Sequence, residues 1–246
     1  PSVIPSLLGP TARREAGGPT APAHGLTLIG SSPDAIRIAA SKRETHRILS
    51  ADAVASVPTF RIDEARPRHD GPWVAKPDDG CGCEDTRLFP HEAAAVRWVG
   101  SRPDATRFVL QPHVPGEALS LCVLARGGTA WLLCVNRQRM QVRNDAFEFT
   151  GAEVNAIVDR DEVFASLAQS VVGALPGLHG YCGIDLVLTP SGPAVVDVNP
   201  RLTTSWVGLG AALRRNPAAL VLDLLKADRF VLPAFERSTV EVRVGT

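Results

Sequence analysis

Residues 181–201 (Tyr-Cys-Gly-Ile-Asp-Leu-Val-Leu-Thr-Pro-Ser-Gly-Pro-Ala-Val-Val-Asp-Val-Asn-Pro-Arg) constrain this chain more than any other stretch. Two apolar runs flank Thr189-Pro190-Ser191-Gly192-Pro193, whose prolines and glycine supply turn geometry, so the segment is predicted to be a β-hairpin. A turn centred on Ser191 sets Asp185 directly opposite Asp197. Strand side chains alternate, so Asp185, Asp197, Asn199 and Arg201 share one face, and Ile184, Leu186, Leu188, Val196 and Val198 form the buried opposite face. Like charges facing each other across paired strands repel, at a cost of up to about 1 kcal/mol. A bound cation reverses that sign. Two carboxylates and an amide oxygen are hard donors, suited to Mg²⁺ shared with phosphate oxygens, with Mn²⁺ the alternative metal. The competing interpretation is a solvated hairpin face with two unrelated aspartates.

At 246 residues the chain can bury a core in one large domain or in two to three smaller lobes. Hydrophobic content of 45% with 21% charged residues is that of a globular protein rather than a disordered one. Lys+Arg and Asp+Glu balance at 26 each, so no net field recruits nucleic acid or an anionic membrane. No apolar run reaches the length of a membrane span, and no signal segment opens the chain. The cysteines, Cys81, Cys83, Cys122, Cys134 and Cys182, form an odd set without Cys-x-x-Cys spacing. Three lie in apolar, strand-like runs, so reduced thiols and a cytoplasmic location are expected. The chain opens on Pro1 rather than Met, which leaves open whether a segment precedes it.

Residues 1–25 read as loop or the remainder of a larger N-terminal lobe, and Gly25–Gly30 as a short strand. Ser31–Asp34 reads as a turn starting a helix to about Ala51, on which Lys42 alone would be a solvated residue. Val57–Phe60 and Trp73–Pro77 are predicted strands, and residues 61–72 a polar loop. Lys76 ends the second strand and runs into Asp78-Asp-Gly-Cys-Gly-Cys-Glu-Asp85. Glycines there let backbone N–H groups approach an anion that the ammonium neutralises, a way to hold phosphate. The alternative is an exposed acidic loop that repels it. Residues 90–100 read as a helix, 107–111 as a strand, and 118–125 with 129–135 as a hairpin around Gly127-Gly128. Arg137, Gln138, Arg139 and Arg143 read as a polar basic stretch in a solvated loop, with an electropositive wall of a site as the alternative. Helices are expected over 160–174 and 217–226, and a short strand over 239–244. Antiparallel pairing with interspersed helices places the chain in the α+β class rather than among doubly wound parallel sheets.

Five motifs in order resemble the ATP-grasp superfamily: Lys42; Trp73-Val-Ala-Lys76-Pro77 with its glycine loop; Gln111-Pro-His-Val-Pro-Gly-Glu117; Gly183-Ile-Asp185; and Val196-Asp-Val-Asn-Pro-Arg201. The likeness spans roughly residues 25–225. Asp-x-Asn-Pro-Arg looks most like the carboxylate–amine ligase branch. Lys-Pro-Asp-Asp-Gly-Cys-Gly with Asn-Pro-Arg-Leu-Thr-Thr-Ser is most similar to tyramine–glutamate ligases of methanofuran-type cofactor synthesis.

The resemblance implies two α+β lobes with antiparallel sheets gripping ATP, after a truncated N-terminal α/β lobe. It divides the chain into a remnant and linker helix (1–56), a small lobe with a glycine-rich flap (57–110) and a large lobe with the metal-binding hairpin (111–246). Lys42 and Lys76 would contact phosphates beneath a flap of Gly80, Cys81 and Gly82. Gln111 and Val114 would lie at the adenine, and Glu117 at the ribose. Asp185, Asp197 and Asn199 would hold one or two Mg²⁺, and Arg201 would face the transferred phosphoryl group. The implied reaction is ATP-dependent amide formation through an acyl phosphate, from a small carboxylate such as glutamate and an amine such as tyramine. No nucleic-acid or membrane partner is implied, and the assembly is open to a homodimer. The alternatives are a phosphotransferase or carboxylase-like enzyme of the same fold, or a non-catalytic nucleotide-binding subunit.

Overall fold

The computed structural model describes residues 28–244. Two short helices come first, α1 (Pro33–Ala39) and α2 (Lys42–Ala51). A single helix over this stretch was expected. The chain breaks at Ala40–Ser41 because Ser41 caps α2, its hydroxyl accepting from the Glu44 N–H at 3.1 Å. Lys42 thereby becomes the first residue of α2 and is buried rather than solvated. Of the expected strand Gly25–Gly30, residues 25–27 lie outside the described residues and 28–30 form no strand. The loop expected over residues 1–25 lies outside them too.

A small lobe follows: β1 (Phe60–Arg61), β2 (Trp73–Pro77), β3 (Arg87–Phe89), α3 (Glu92–Gly100) and β4 (Phe108–Pro112). The strand expected at 57–60 is displaced to β1, and residues 55–57 instead dock on the far edge of the sheet, where Val57 N–H donates to Val195 O at 2.8 Å. Trp73, Ala75, Ala95, Val99, Phe108 and Leu110 form this lobe's own core.

The remainder is β5 (Glu117–Arg126), β6 (Thr129–Arg143), β7 (Ala146–Ile157), α4 (Val163–Ala174), β8 (Gly180–Thr189), β9 (Gly192–Asn199), α5 (Trp206–Leu213), α6 (Pro217–Lys226) and β10 (Val240–Arg243). Gly127 and Gly128 both take positive φ, the type I′ geometry that closes the β5–β6 hairpin. The loop expected at 137–143 is wrong: these residues continue β6 and pair with β7, a strand not foreseen. Its turn is Asn144–Asp145, again with two positive φ values.

All strands join one antiparallel sheet in the order β1-β4-β2-β3-β7-β6-β5-β8-β9, with β10 on β7. The lobes share it through the single pairing of Arg87 with Ala146. One face of β5–β6–β8–β9 packs Leu119, Leu121, Ile184, Leu186, Val195 and Val198 against α1, α2 and α4. The other packs Cys122, Leu124, Leu133 and Tyr181 against α5 and α6. Residues of both lobes line a cleft of about 510 Å³. No helix among the described residues is long and apolar enough to cross a membrane.

Candidate active site

The hairpin β8–β9 forms one wall of the cleft, and Asp185 pairs directly with Asp197. The route to that register differs from the expected one. The turn is only Pro190–Ser191, with Thr189 opposite Gly192, and a bulge between Asp185 and Leu186 restores the pairing. The extra residue on β9 rotates the strand, so Val195 enters the core and Val196, expected there, lines the cleft. Asp185, Asp197, Asn199 and Arg201 all face the cleft together.

Each acid has a distinct setting. Asp185 accepts from Gln138 Nε2 at 2.9 Å and from Asn199 Nδ2 at 3.0 Å. Asn199 Oδ1 in turn accepts from the Arg201 guanidinium at 2.9 Å. Burial first, and the Asp197 charge second, push the Asp185 carboxyl up to about 7. Burial also raises Asp197, opposed by Lys42 and Lys76, with the Lys42 ammonium 3.7 Å from Asp197 Oδ2.

Lys76, next to last in β2, is buried, and desolvation lowers its ammonium to about 8 despite the opposing pull of Asp197. Lys42 donates to Asp78 O at 3.0 Å and to Gly80 O at 2.7 Å, gripping the glycine loop by its backbone. Gly80, Cys81, Gly82 and Cys83 line the cleft opposite the hairpin. The acidity of this loop is largely neutralised outside the cleft. Asp78 caps α2 through Ser41 Oγ (2.7 Å) and Arg43 N–H (3.0 Å), while Asp79 pairs with Arg107 and Asp85 with Arg102. The five cysteines are free thiols.

Gln111 and Val114 line the cleft, and Gln111 is buried and donates to Thr59 Oγ1 at 2.7 Å. Glu117 is not brought to the cleft. Its neighbours Ala118 and Ser120 line it, so alternation turns Glu117 to the other side of β5, where it pairs with Arg137 at 2.5 Å. Cleft residues not foreseen include Ser120, Met140, Phe147, Phe149 and Thr203–Ser205, and of the basic stretch Gln138 lines the cleft. An Asn-Asp turn between apolar-alternating runs was the available signal for β6–β7. Thr203 is set by Gly183, where an added Cβ would lie 2.5 Å from its Cγ2, and by the Tyr181 hydroxyl at 2.9 Å.

The donor set fits a divalent cation. Two carboxylates stand opposite each other in a site whose burial disfavours their charge, and both present hard oxygens. Among the described residues no group of three or more His, Cys, Asp or Glu side chains could hold a metal alone, so non-protein oxygens would have to complete the coordination.

The chain is 29% identical over 200 residues to the tyramine–L-glutamate ligase of Methanocaldococcus jannaschii, covering 81% of this chain and 54% of that one. It is 32% identical to the enzyme of the same name from Methanocaldococcus fervens, over 74% of this chain and 52% of the relative. It thus spans about half the length of each. The fold is similar to that of the L-amino acid ligase of Bacillus licheniformis, with a TM-score of 0.64 and 20% identity over 80% of this chain and 50% of that one. It is also similar to the biotin carboxylase domain of Hydrogenobacter thermophilus 2-oxoglutarate carboxylase, with a TM-score of 0.69 and 14% identity over 85% and 50%. Residues 39–205, well over half of the chain, match the model of the ATP-grasp domain family. With Lys42, Lys76 and the Asp185–Asp197 hairpin around one cleft, the chain belongs to the ATP-grasp family.

Proposed function

We propose that this protein is an ATP-dependent carboxylate–amine ligase that activates its carboxylate substrate as an acyl phosphate. The observation that carries the reading is the opposition, across one cleft, of two buried lysines and a facing pair of aspartates flanked by Arg201. The names of the relatives point to glutamate and tyramine as the first substrates to test. In this reading residues 57–110 are the small lobe and 111–246 the large one. The free thiols suit a reducing cytoplasm.

Amide formation from a free carboxylate is uphill in water, so the carboxylate oxygen first attacks the γ-phosphorus and ADP leaves. The amine nitrogen then attacks the acyl carbon, phosphate departs, and the nitrogen sheds protons to give the amide. Asp185, Asp197 and Asn199 would hold Mg²⁺, which when bound neutralises phosphate oxygens. Lys76 supplies a second positive charge from the small lobe. Lys42 reaches the phosphates by exchanging its grip on Asp78 O and Gly80 O for phosphate oxygens. Gln111 to Val114 lie against the base, and the Gly80–Cys83 backbone closes over the phosphates. Arg201 holds the attacking carboxylate or the charge developing in transfer. Closure keeps water from the acyl phosphate.

An ADP-release screen crossing carboxylates with amines tests the reading, beginning with glutamate and tyramine. Hydroxylamine replacing the amine should trap an acyl hydroxamate, and oxygen-18 should pass from carboxylate to inorganic phosphate. Oxygen-18 in AMP would mean adenylate chemistry and would overturn the acyl-phosphate route. A stable phosphorylated product without amide would indicate a phosphotransferase.

A further inference from the structure

We propose that Thr59 sets the purine selectivity of the nucleotide site by holding the Gln111 amide with its oxygen toward the cleft, where it accepts from the 6-amino group of adenine; this rests on the placement of ATP in the reading above. Thr59 lies just before β1 and extends its register. Phe60 pairs with Leu110 of β4, so Thr59 stands opposite Gln111, and opposite residues on paired strands share a face. The face of Gln111 is settled by its neighbours on β2. Val74, its pairing partner, and Lys76 line the cleft with it, whereas Trp73, Ala75 and Leu110 alternate into the small-lobe core.

A chain of hydrogen bonds with one possible direction runs through the pair. Val57 is pinned to the sheet edge by its N–H, which donates to Val195 O at 2.8 Å. The Val57 carbonyl can only accept, so the Thr59 hydroxyl donates its proton there, at 2.9 Å. The Thr59 oxygen is left as an acceptor, and the Gln111 amide, 2.7 Å away, must present its NH₂. That turns the amide oxygen away from Thr59. Gln111 is only 4% exposed, and among the described residues its Oε1 makes no hydrogen bond. Yet it is not sealed in the protein, since the sealed side-chain atoms without partners are His69 Nε2 and Trp73 Nε1. The open space beside Gln111 is the cleft.

A largely buried acceptor without a partner costs free energy until a donor arrives. Val57, Val74, Val114, Leu186 and Val187 line the same cleft and offer apolar walls to the faces of a flat ring. Adenine joined to ribose carries one N–H donor group, the 6-amino group, which meets this oxygen. A 6-oxo purine sets an oxygen in the same place, acceptor against acceptor, and is rejected. Thr59 does not itself line the cleft, so it is a positioning residue that acts through Gln111.

The test titrates ATP, inosine triphosphate and purine riboside triphosphate (ATP without its 6-amino group) calorimetrically with Mg²⁺ into wild type and variants. Wild type should bind ATP about tenfold tighter than purine riboside triphosphate, the scale of one hydrogen bond to an otherwise unpaired acceptor. Thr59→Val removes the hydroxyl at similar size and frees the amide to turn. ATP affinity should then fall and inosine triphosphate affinity rise, whereas a loosened fold would weaken both; Thr59→Ala carries the same expectation. Thr59→Ser should restore the wild-type preference, and Gln111→Met should bind ATP and purine riboside triphosphate alike. ATP and inosine triphosphate affinities that move together on loss of the Thr59 hydroxyl overturn the proposal. So does a wild type that binds ATP and purine riboside triphosphate equally, or binds no ATP. A Thr59-dependent preference without ADP release for any carboxylate–amine pair would sink the ligase reading and leave the role of Thr59 standing.

Discussion

Asp185→Asn should stabilise the metal-free protein at pH 8 and destabilise it slightly, by about 1 kcal/mol, at pH 4. In the fold, burial and the facing Asp197 raise Asp185 from 3.8 to about 7. Below pH 4 both folded and unfolded chains carry the proton, and the residue costs nothing. Between pH 4 and 7 the folded chain holds a proton that the unfolded chain has lost, so stability falls as pH rises. Above 7 the cost is complete, at roughly 1.36 kcal/mol per pH unit over about three units, or about 4 kcal/mol as an upper bound. Asparagine abolishes this cost but changes the hydrogen bonding. Gln138 and Asn199 both donate to the present carboxylate, so the Gln138 amide must turn its oxygen toward the new NH₂. That adjustment costs about 1 kcal/mol. The net gain is about 2–3 kcal/mol at pH 8. Urea unfolding in EDTA at both pH values measures it as a shift in midpoint at constant slope. An equal shift at both pH values, or a less stable variant at pH 8, would refute the electrostatic account. Millimolar Mg²⁺ should stabilise the wild type more than the variant.

Lys76→Ala and Lys42→Ala should each weaken ATP binding by about tenfold or more, since each removes a point charge from the phosphate end; unchanged affinity in calorimetry would return that lysine to a structural role. With Lys76 titrating near 8, nucleotide affinity of the free protein should decline from pH 8 upward as the ammonium is lost, whereas a flat profile from pH 7 to 9.5 would contradict this. Arg201→Ala should cut hydroxamate formation and oxygen-18 transfer by about two orders of magnitude, the scale of losing one preorganised electrostatic group. Gly183→Ala should destabilise the fold by about 1–3 kcal/mol in denaturant, because its Cβ would meet Thr203 at 2.5 Å and displace a cleft residue.

The α+β class and the hairpin were legible from residue order, because alternation, glycine turns and apolar runs are local properties. The hairpin register also came out as expected at Asp185–Asp197, but through two compensating departures: a shorter turn and a bulge. A bulge is invisible to alternation, and β9 tolerates one because it is an edge strand whose outer side takes only residues 55–57. The sequence reading lost β6 beyond Val135 because its polar residues mimic a loop. They are polar because Arg137 and Arg139 pair with Glu153 from β7, while Gln138 on the opposite face reaches Asp185 from 47 positions away.

Residue chemistry by itself pointed to a facing aspartate pair with an asparagine for a hard cation and to Lys76 before a glycine loop for phosphate, whereas Lys42 and Arg201 entered through the family resemblance. Tertiary structure decided which of them meet and which acids are free. Strand alternation turned Glu117 away from the cleft, and the cap at Ser41 brought Lys42 into it. Partners contributed by α2 and by the segment between α3 and β4 took up three flap carboxylates. Charge and hydrogen-bonding capacity belong to a side chain, whereas its partners are set by neighbours distant in the chain, and only the closed sheet brings those within reach.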